Sequence, residues 1–249
     1  MSTVLVLGGT GSIGRLVVAR LGELGDQPRV LTRNPDRARR SLPHGVDLVA
    51  GHISDAASLA AALDGVEALV MTHGAPYGSG NYADVDYGAV PALLDALAGR
   101  QVRVALMTSI GVTGTGGSSR DLLTWKRRGE RLLRASGLRY TSVRPGWFDA
   151  GSGTEQHVDL RQGDQTEYGP VRRIHVVETL VQALRTPAAV GRTVEVFSTD
   201  GPPVTDWDAT FTATEADQPG ALDGIRDPTD LPLEAEPESV RADLQRHTH

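Results

Sequence analysis

Apolar and polar positions follow two alternating periods along most of this chain. A short apolar run predicts a buried strand at residues 4–7, and further strands are predicted at 29–32, 46–50, 68–72, 102–108, 139–143 and 193–198. Apolar residues at helical spacing predict a helix at 13–24, and further helices are predicted at 36–41, 56–63, 87–98, 122–136 and 176–184, with Asp55 capping the third. Because strands and helices alternate, the pattern favours an α/β fold with a doubly wound parallel sheet covered by helices on both faces.

The remainder of the chain has weaker periodicity. Residues 149–170 are rich in Gly, Asp, Gln and Thr and predict a long loop, and we expect residues 147–170 to form a substrate loop. Residues 200–249 carry twelve acids and three bases, whereas the preceding 199 residues have a net charge of +3. We therefore divide the chain into a main domain, 1–199, and an acidic, Pro-rich extension, 200–249, that packs on the same domain or trails from it.

Composition excludes several classes of function. The 249 residues include no Cys, which excludes disulfides, Cys-ligated zinc and a thiol nucleophile. The seven His residues show no metal-binding spacing, so we expect no metal site, and no G-x-S-x-G motif indicates a serine hydrolase. The absence of a long apolar run and of a strong basic face argues against membrane and nucleic-acid partners. We expect a cytoplasmic protein with a small-molecule substrate, and the oligomeric state stays open.

A glycine-rich segment joins the first predicted strand to the first predicted helix. Its sequence is Gly8-Gly9-Thr10-Gly11-Ser12-Ile13-Gly14. Glycines at this spacing allow a tight turn, a close approach of backbone to a pyrophosphate and close packing of helix on strand. The phosphates would then lie on free N–H groups at the helix N-terminus. The candidate binding residues are Gly8, Thr10, Gly11, Ser12, Ile13 and Gly14, and the alternative is a tight turn without a ligand.

The residue after the second predicted strand indicates which dinucleotide would bind. An NAD enzyme usually has an acidic residue there, which accepts the ribose hydroxyl. This chain has Thr32-Arg33 at that point, and Arg37 follows closely. Because a guanidinium pairs well with a 2′-phosphate, the sequence predicts NADP(H) in preference to NAD(H). The alternative is that Arg33 is a solvated loop residue.

Three segments together resemble the atypical short-chain dehydrogenases/reductases, the group that includes the NmrA-like and NAD(P)H-binding proteins. They are residues 8–14, 51–55 and 135–146, and the resemblance extends over roughly residues 3–200. It implies a Rossmann-type sheet and a smaller C-terminal region that closes over the nicotinamide and covers the substrate. It also implies the roles of several cofactor-binding residues. Ile53 would meet the adenine, Thr72, His73 and Gly74 would line the cofactor ribose, and Pro145 and Gly146 would contact the nicotinamide carboxamide. The family often has Asp where this chain has His52.

The resemblance also implies two catalytic residues, Ser109 at the end of the fifth strand and Lys126. Lys126 is the single Lys beside 24 Arg, and Glu130 follows it at the spacing seen in the family's active-site helix. In the family such a Lys bonds the nicotinamide ribose and lowers the pKa of a Tyr four residues before it. A Lys exposed on a helix surface is the alternative, although a guanidinium could not replace a compact ammonium in the first role.

Leu122 occupies the position at which the family has its proton-donating Tyr. Three explanations stay open: another side chain donates the proton, water or a phenol of the substrate donates it, or the protein binds cofactor without turnover. The candidate donors are Tyr77, Tyr82, Tyr87, Tyr168, His73, His157 and His175.

The sequence is thus interpreted as an NADPH-dependent oxidoreductase, ketoreductase-like, that transfers hydride to a carbonyl of an apolar or aromatic small molecule. The alternatives are a non-catalytic NADP(H)-binding sensor or regulatory protein, a flavin or quinone reductase, and, with less support, a sugar-nucleotide epimerase or dehydratase.

Overall fold

The computed structural model describes residues 2–114, 116–165 and 167–248. An eight-stranded sheet has the order β3-β2-β1-β4-β5-β6-β10-β8, parallel throughout except for the antiparallel pair β10 and β8. Two further strands, β7 and β9, form a separate parallel pair. The strands are β1 Thr3–Leu7, β2 Gln27–Thr32, β3 Asp47–Ala50, β4 Ala68–Met71, β5 Arg103–Met107, β6 Arg139–Pro145, β7 Trp147–Phe148, β8 His157–Arg161, β9 Pro170–Val171 and β10 Arg192–Thr199. The predicted α/β fold with a doubly wound, largely parallel sheet is confirmed.

Helices cover both faces of this sheet. One face packs against α3, α4, α5 and α8 through a core that includes Leu59, Leu93, Leu132 and Val240. The opposite face packs against α1, α6 and α7 through Val17, Leu180 and Phe211. The helices are α1 Gly14–Glu23, α2 Pro35–Arg39, α3 Ala56–Ala62, α4 Ala89–Leu97, α5 Arg120–Ala135, α6 Arg173–Arg185, α7 Trp207–Thr212 and α8 Glu238–His247.

The prediction of an uninterrupted loop over 149–170 is wrong. Residues 157–161 form β8, the antiparallel edge strand of the large sheet. Val158 and Leu160 contribute to the core on one side, but two alternating apolar residues are too weak a signal to distinguish a strand from a loop. The helix predicted over 87–98 also begins differently, because a π-helical turn at Ala83–Tyr87 precedes α4.

The acidic C-terminal segment lies along α5. Arginines on α5 and β6 point towards carboxylates of residues 217–236, and Glu236 and Asp217 are buried among them. Basic residues of α5 and β6 in the main domain therefore face the acidic C-terminal segment. The ion pairs are Arg127–Asp223, Arg127–Asp230, Arg128–Glu236, Arg131–Asp223, Arg131–Glu236, Arg134–Asp217 and Arg144–Asp227. Described residues of this segment do not line the cleft presented below. The strand pair of β7 and β9, Trp147–Phe148 and Pro170–Val171, instead follows the carboxyl end of β6.

In the described part of the chain, no helix combines the length and the apolar character that crossing a bilayer requires.

Candidate functional site

A cleft of about 380 Å³ opens at the carboxyl ends of β1, β2 and β4. Ligands of open α/β sheets bind outside these strand ends, where the strand order reverses. The cleft brings together eight residues predicted from the sequence to bind a cofactor: Gly8, Thr10, Gly11, Arg33, Ile53, Thr72, His73 and Gly74. His52 also lines it, and its Nδ1 lies 2.7 Å from Ser54 Oγ.

The glycine loop forms one wall of this cleft. Gly8 has a φ of 83°, and a Cβ there would lie 2.6 Å from the backbone nitrogen of His73. A Cβ at Gly14 would overlap the carbonyl oxygen of Gly8, so the first turn of α1 packs directly on the loop. A Cβ at Gly11 would meet only the Gly8 oxygen, at 3.2 Å, which leaves its other side open. Backbone can therefore approach a ligand closely at Gly11.

The two remaining residues of the predicted loop motif have different environments. The Ile13 side chain is buried in the core with Val17, so it anchors the start of α1 rather than facing the cleft. Ser12 is exposed just before the helix. Neither side chain lines the cleft, and any contact from this turn to a ligand would come from backbone N–H groups.

A second, basic cavity of about 660 Å³ adjoins the cleft beyond β2. It shares Thr10, Thr32 and Arg33 with the cleft, and Asn34 caps α2 by accepting a 2.9 Å hydrogen bond from the Arg37 backbone. Its four arginines are Arg15, Arg33, Arg37 and Arg40, and no acidic residue is among those that line it. Sequence reasoning missed Arg15 and Arg40. Arg15 follows Gly14 directly, and Arg40 follows Arg37 by one helical turn, so both positions could have been included.

Lys126 lies on the opposite side of the site and has a buried carboxylate partner. Its Nζ is 2.7 Å from Asp86 Oδ1, and the Asp86 side chain is fully buried while that of Lys126 is 12% exposed. Asp86 Oδ2 also accepts a 3.1 Å hydrogen bond from the backbone of Ala75. A Cβ at Gly74 would lie 3.6 Å from Lys126 Nζ, which brings the ammonium next to the cleft wall. Sequence reasoning missed Asp86, which belongs to the π-helical turn before α4.

His73 is neutral in this environment. Burial and the charge of Lys126 lower the pKa of His73 to about 3, although a backbone hydrogen bond at Asp86 opposes the shift. Its Nδ1 is buried without a hydrogen-bond partner in the described part of the chain. His73 lines the cleft, and among the described residues its buried Nδ1 is an unsatisfied polar atom. Near pH 7 His73 is therefore a neutral imidazole and not an imidazolium that could act as a general acid.

Glu130 does not pair with Lys126, although the two are four residues apart. Glu130 accepts hydrogen bonds from Arg144 and from Thr108 Oγ1 and is buried with both. The residue next to Thr108 is Ser109, whose Oγ donates to the Ile110 carbonyl at 3.0 Å. Glu130 thus connects α5 with the ends of β5 and β6.

The other predicted residues of this end of the sheet lie beyond the cleft. Ile110 donates to the Pro145 carbonyl at 3.1 Å, and Gly146 donates to the Val196 carbonyl at 3.0 Å. Ser109, Lys126, Pro145 and Gly146 do not line the 380 Å³ cleft but occupy the carboxyl ends of β5 and β6 and the facing side of α5.

The candidate proton donors have very different surroundings. Tyr82 accepts from the Gly78 backbone, Tyr87 donates to Asp243, and His175 contacts Ser198 at 2.7 Å. Burial and the Asp243 carboxylate raise the pKa of Tyr87 well above its usual range. Tyr77 and Tyr168 are 66% and 61% exposed, and each contacts the segment between β5 and α5, at Ser118 and Gly111 respectively.

Comparison with known proteins gives a consistent result. Residues 8–187 match the family model described as NAD(P)H-binding. The sanguinarine reductase of Eschscholzia californica is 28% identical over 230 residues, covering 73% of this chain and 84% of that protein. The NAD(P)H azoreductase of Xenophilus azovorans is 32% identical over 157 residues, covering 58% of this chain and 48% of its own. The structure of an anaerobillin reductase from Escherichia coli O157:H7 superposes with a TM-score of 0.67 at 22% identity, over 82% of this chain and all of the other.

The family match covers most of the chain, and the sheet order and glycine-loop geometry agree with it. The chain belongs to the NAD(P)H-binding family of atypical short-chain dehydrogenase/reductase-like proteins with a Rossmann-type fold.

Proposed function

We propose that this protein is an NADPH-dependent reductase that transfers hydride to a carbonyl of an apolar or aromatic small molecule in the cytoplasm. The observation that carries the proposal is the continuity of the glycine-loop cleft with the four-arginine cavity beyond β2. Reductases among the relatives support an oxidoreductase of this general kind.

The residues present fit a phosphorylated dinucleotide. Gly11 leaves the backbone of the loop open, and the N-terminus of α1 would supply N–H groups for a pyrophosphate. His73 lines the cleft, and its buried Nδ1 has no hydrogen-bond partner in the described part of the chain. Arg33 and Arg37 would pair with a 2′-phosphate, and Arg15 and Arg40 add positive charge around it. Ile53 would pack beside the adenine.

The bound dinucleotide would supply the hydride, and the protein would position the two reactants. Asp86 holds the Lys126 ammonium in place, where it can bind the hydroxyls of the nicotinamide ribose. Ser109, at the end of β5, can donate its hydroxyl to a carbonyl oxygen of the substrate. Pro145 and Gly146 form the adjacent backbone wall. Since α5 carries Leu122 in place of a phenol, we propose that a phenol of the substrate or water donates the proton.

The same replacement favours one alternative function. A chain without the usual Tyr could bind NADP(H) and signal its redox state without turnover. This alternative predicts that the protein binds NADPH tightly and that no acceptor oxidises it. A flavin or quinone reductase is a separate alternative, which would differ from the main proposal in its acceptor alone.

The arginine cavity gives the sharpest test. We expect Arg33→Ala and Arg37→Ala each to weaken NADPH binding by about ten- to a hundredfold, because a charge-assisted hydrogen bond contributes about 1.5–3 kcal/mol. Binding of NADH should change little. Arg39→Ala is the matched control, since Arg39 lies on the same helix but pairs with Asp36 and does not line the cavity. Equal losses for NADPH and NADH, or no loss at all, would contradict the proposed role of the cavity.

A further inference from the structure

Aromatic side chains are scarce in this chain, yet several of them are exposed at one end of the sheet. Aromatic residues make up 4% of the sequence. Trp147 and Tyr168 are 60% and 61% exposed, and their rings meet edge to face with centroids 6.0 Å apart. Phe148, the residue after Trp147, is also exposed, as is Tyr77, whose phenol oxygen lies 2.9 Å from Ser118 Oγ in the β5–α5 segment. Burying such rings is favourable, so an exposed pair at a ligand-binding edge indicates a surface that something covers.

The backbone under these two rings is tightly held. The Trp147 backbone donates to the Gly169 carbonyl at 2.9 Å, next to the short pair of β7 and β9. A Cβ at Gly169 would lie 2.9 Å from the Phe197 ring, so Gly169 packs flat on that buried residue. The exposure of Trp147 and Tyr168 is therefore built into the fold and does not come from a free loop end.

The pair also lies beside the proposed reaction site. Trp147 follows Pro145 and Gly146 at the carboxyl end of β6. The Tyr168 ring lies on Gly111, where a Cβ would approach the phenol oxygen to 2.8 Å. Gly111 is two residues beyond Ser109 and is held by Asp164, which accepts 2.6 and 2.7 Å hydrogen bonds from the backbones of Gly111 and Thr113.

We propose that Trp147 and Tyr168 form a stacking wall for a planar, polycyclic aromatic acceptor. Flat ring systems match an edge-to-face pair because they can cover the face of one ring and meet the edge of the other. A compact aliphatic ketone would cover little of either ring. This inference rests on the proposed function, and it specifies the shape of the acceptor that the reductase takes.

Binding in the presence of NADP⁺ tests this wall without any turnover. The probes are anthraquinone-2-sulfonate, which is planar and tricyclic, and 2-adamantanone, a compact aliphatic ketone. We expect the wild-type protein to bind the anthraquinone at least tenfold more tightly than the adamantanone. Trp147→Ala and Tyr168→Ala should each weaken anthraquinone binding by about threefold to tenfold. Trp147→Phe and Tyr168→Phe should retain binding within about twofold, because they keep an aromatic ring.

Leu233→Ala is the matched control, since Leu233 is 42% exposed and belongs to the C-terminal segment that lies along α5. Unchanged anthraquinone binding in both alanine variants would overturn the inference, as would equal affinity of the wild type for the two probes or no binding of the anthraquinone. A separate assay of NADPH oxidation at 340 nm distinguishes the two proposals. A protein that oxidises NADPH with a carbonyl acceptor but shows one of these results retains its proposed function and loses only the stacking wall.

Discussion

The contact between Glu236 and α5 allows a quantitative test of how the C-terminal segment is held. The Glu236 side chain is fully buried and accepts hydrogen bonds from Arg128 Nε at 2.7 Å and Arg131 Nη1 at 2.5 Å. Breaking a buried ion pair by removing one partner costs about 3–5 kcal/mol, because the remaining charge loses its compensation. Glu236→Gln retains one carbonyl acceptor, and Arg131 keeps Asp223 as a partner. We therefore expect a loss near the lower end, about 3 kcal/mol.

Equilibrium unfolding in urea measures this loss directly. Glu234→Gln removes the same charge from the same short turn but at an exposed position, and we expect it to change the free energy of unfolding by less than about 0.5 kcal/mol. The difference between the two variants should persist in 0.5 M NaCl, because salt screens buried pairs weakly. If Glu236→Gln unfolds at the same urea concentration as Glu234→Gln, the segment is not held by this ion pair. The expected result would support the first of the two arrangements expected from the sequence, in which residues 200–249 pack on the main domain.

Three further variants test the site. Asp86→Asn leaves Lys126 without its carboxylate, so we expect a lower kcat and an altered pH profile for NADPH oxidation. Asp84 is exposed on the same turn, and Asp84→Asn should behave as the wild type. Identical pH profiles for the two variants would refute the positioning role of Asp86. His73 has a pKa of about 3 in the folded protein and about 6.5 when unfolded, so the unfolded state binds more protons between these values and stability falls as pH falls through this window, by up to about 1.4 kcal/mol per pH unit. His73→Asn should flatten urea-unfolding stability between pH 7 and 5 relative to the wild type, and an unchanged slope would speak against the buried neutral ring. Gly14→Ala forces a methyl group onto the Gly8 carbonyl and should abolish NADPH binding in a fluorescence titration, an expectation that normal affinity would contradict.

The regular part of the fold could be predicted from the sequence because its signals are local. Strands β1, β4 and β5 are short, mainly apolar runs, and Asp55 does cap α3, accepting a 2.9 Å hydrogen bond from the Ser58 backbone. The edge strand β8 was missed because its pairing with β10 depends on contacts distant in sequence. The same applies to α8, whose Val240 and Leu244 join the core that α3, α4 and α5 form. No helix was predicted there because residues 200–249 are acidic and Pro-rich.

The residues of the candidate site likewise fall into those that local sequence predicts and those that only tertiary packing brings to the site. The glycine loop and Arg33 follow strands directly, so their positions are determined by sequence-adjacent structure. Asp86 and Tyr168 reach Lys126 and Gly111 through tertiary packing, over 40 and 57 residues of chain respectively. Side chains that meet across such separations leave no periodic signal. Glu130 shows that a local spacing can also mislead. Its distance of four residues from Lys126 suggests an ion pair, but in the structure the buried Glu130 carboxylate pairs with Arg144.

Oxidation of NADPH, followed at 340 nm, tests the central claim most directly. The assay compares NADPH with NADH against planar quinones and phenolic ketones, in the wild type and in Lys126→Ala. We predict turnover with at least one of these acceptors, faster with NADPH than with NADH, and strongly reduced in the Lys126→Ala variant. Tight binding of NADPH with no oxidation by any acceptor would contradict the reductase and favour the NADP(H)-binding sensor.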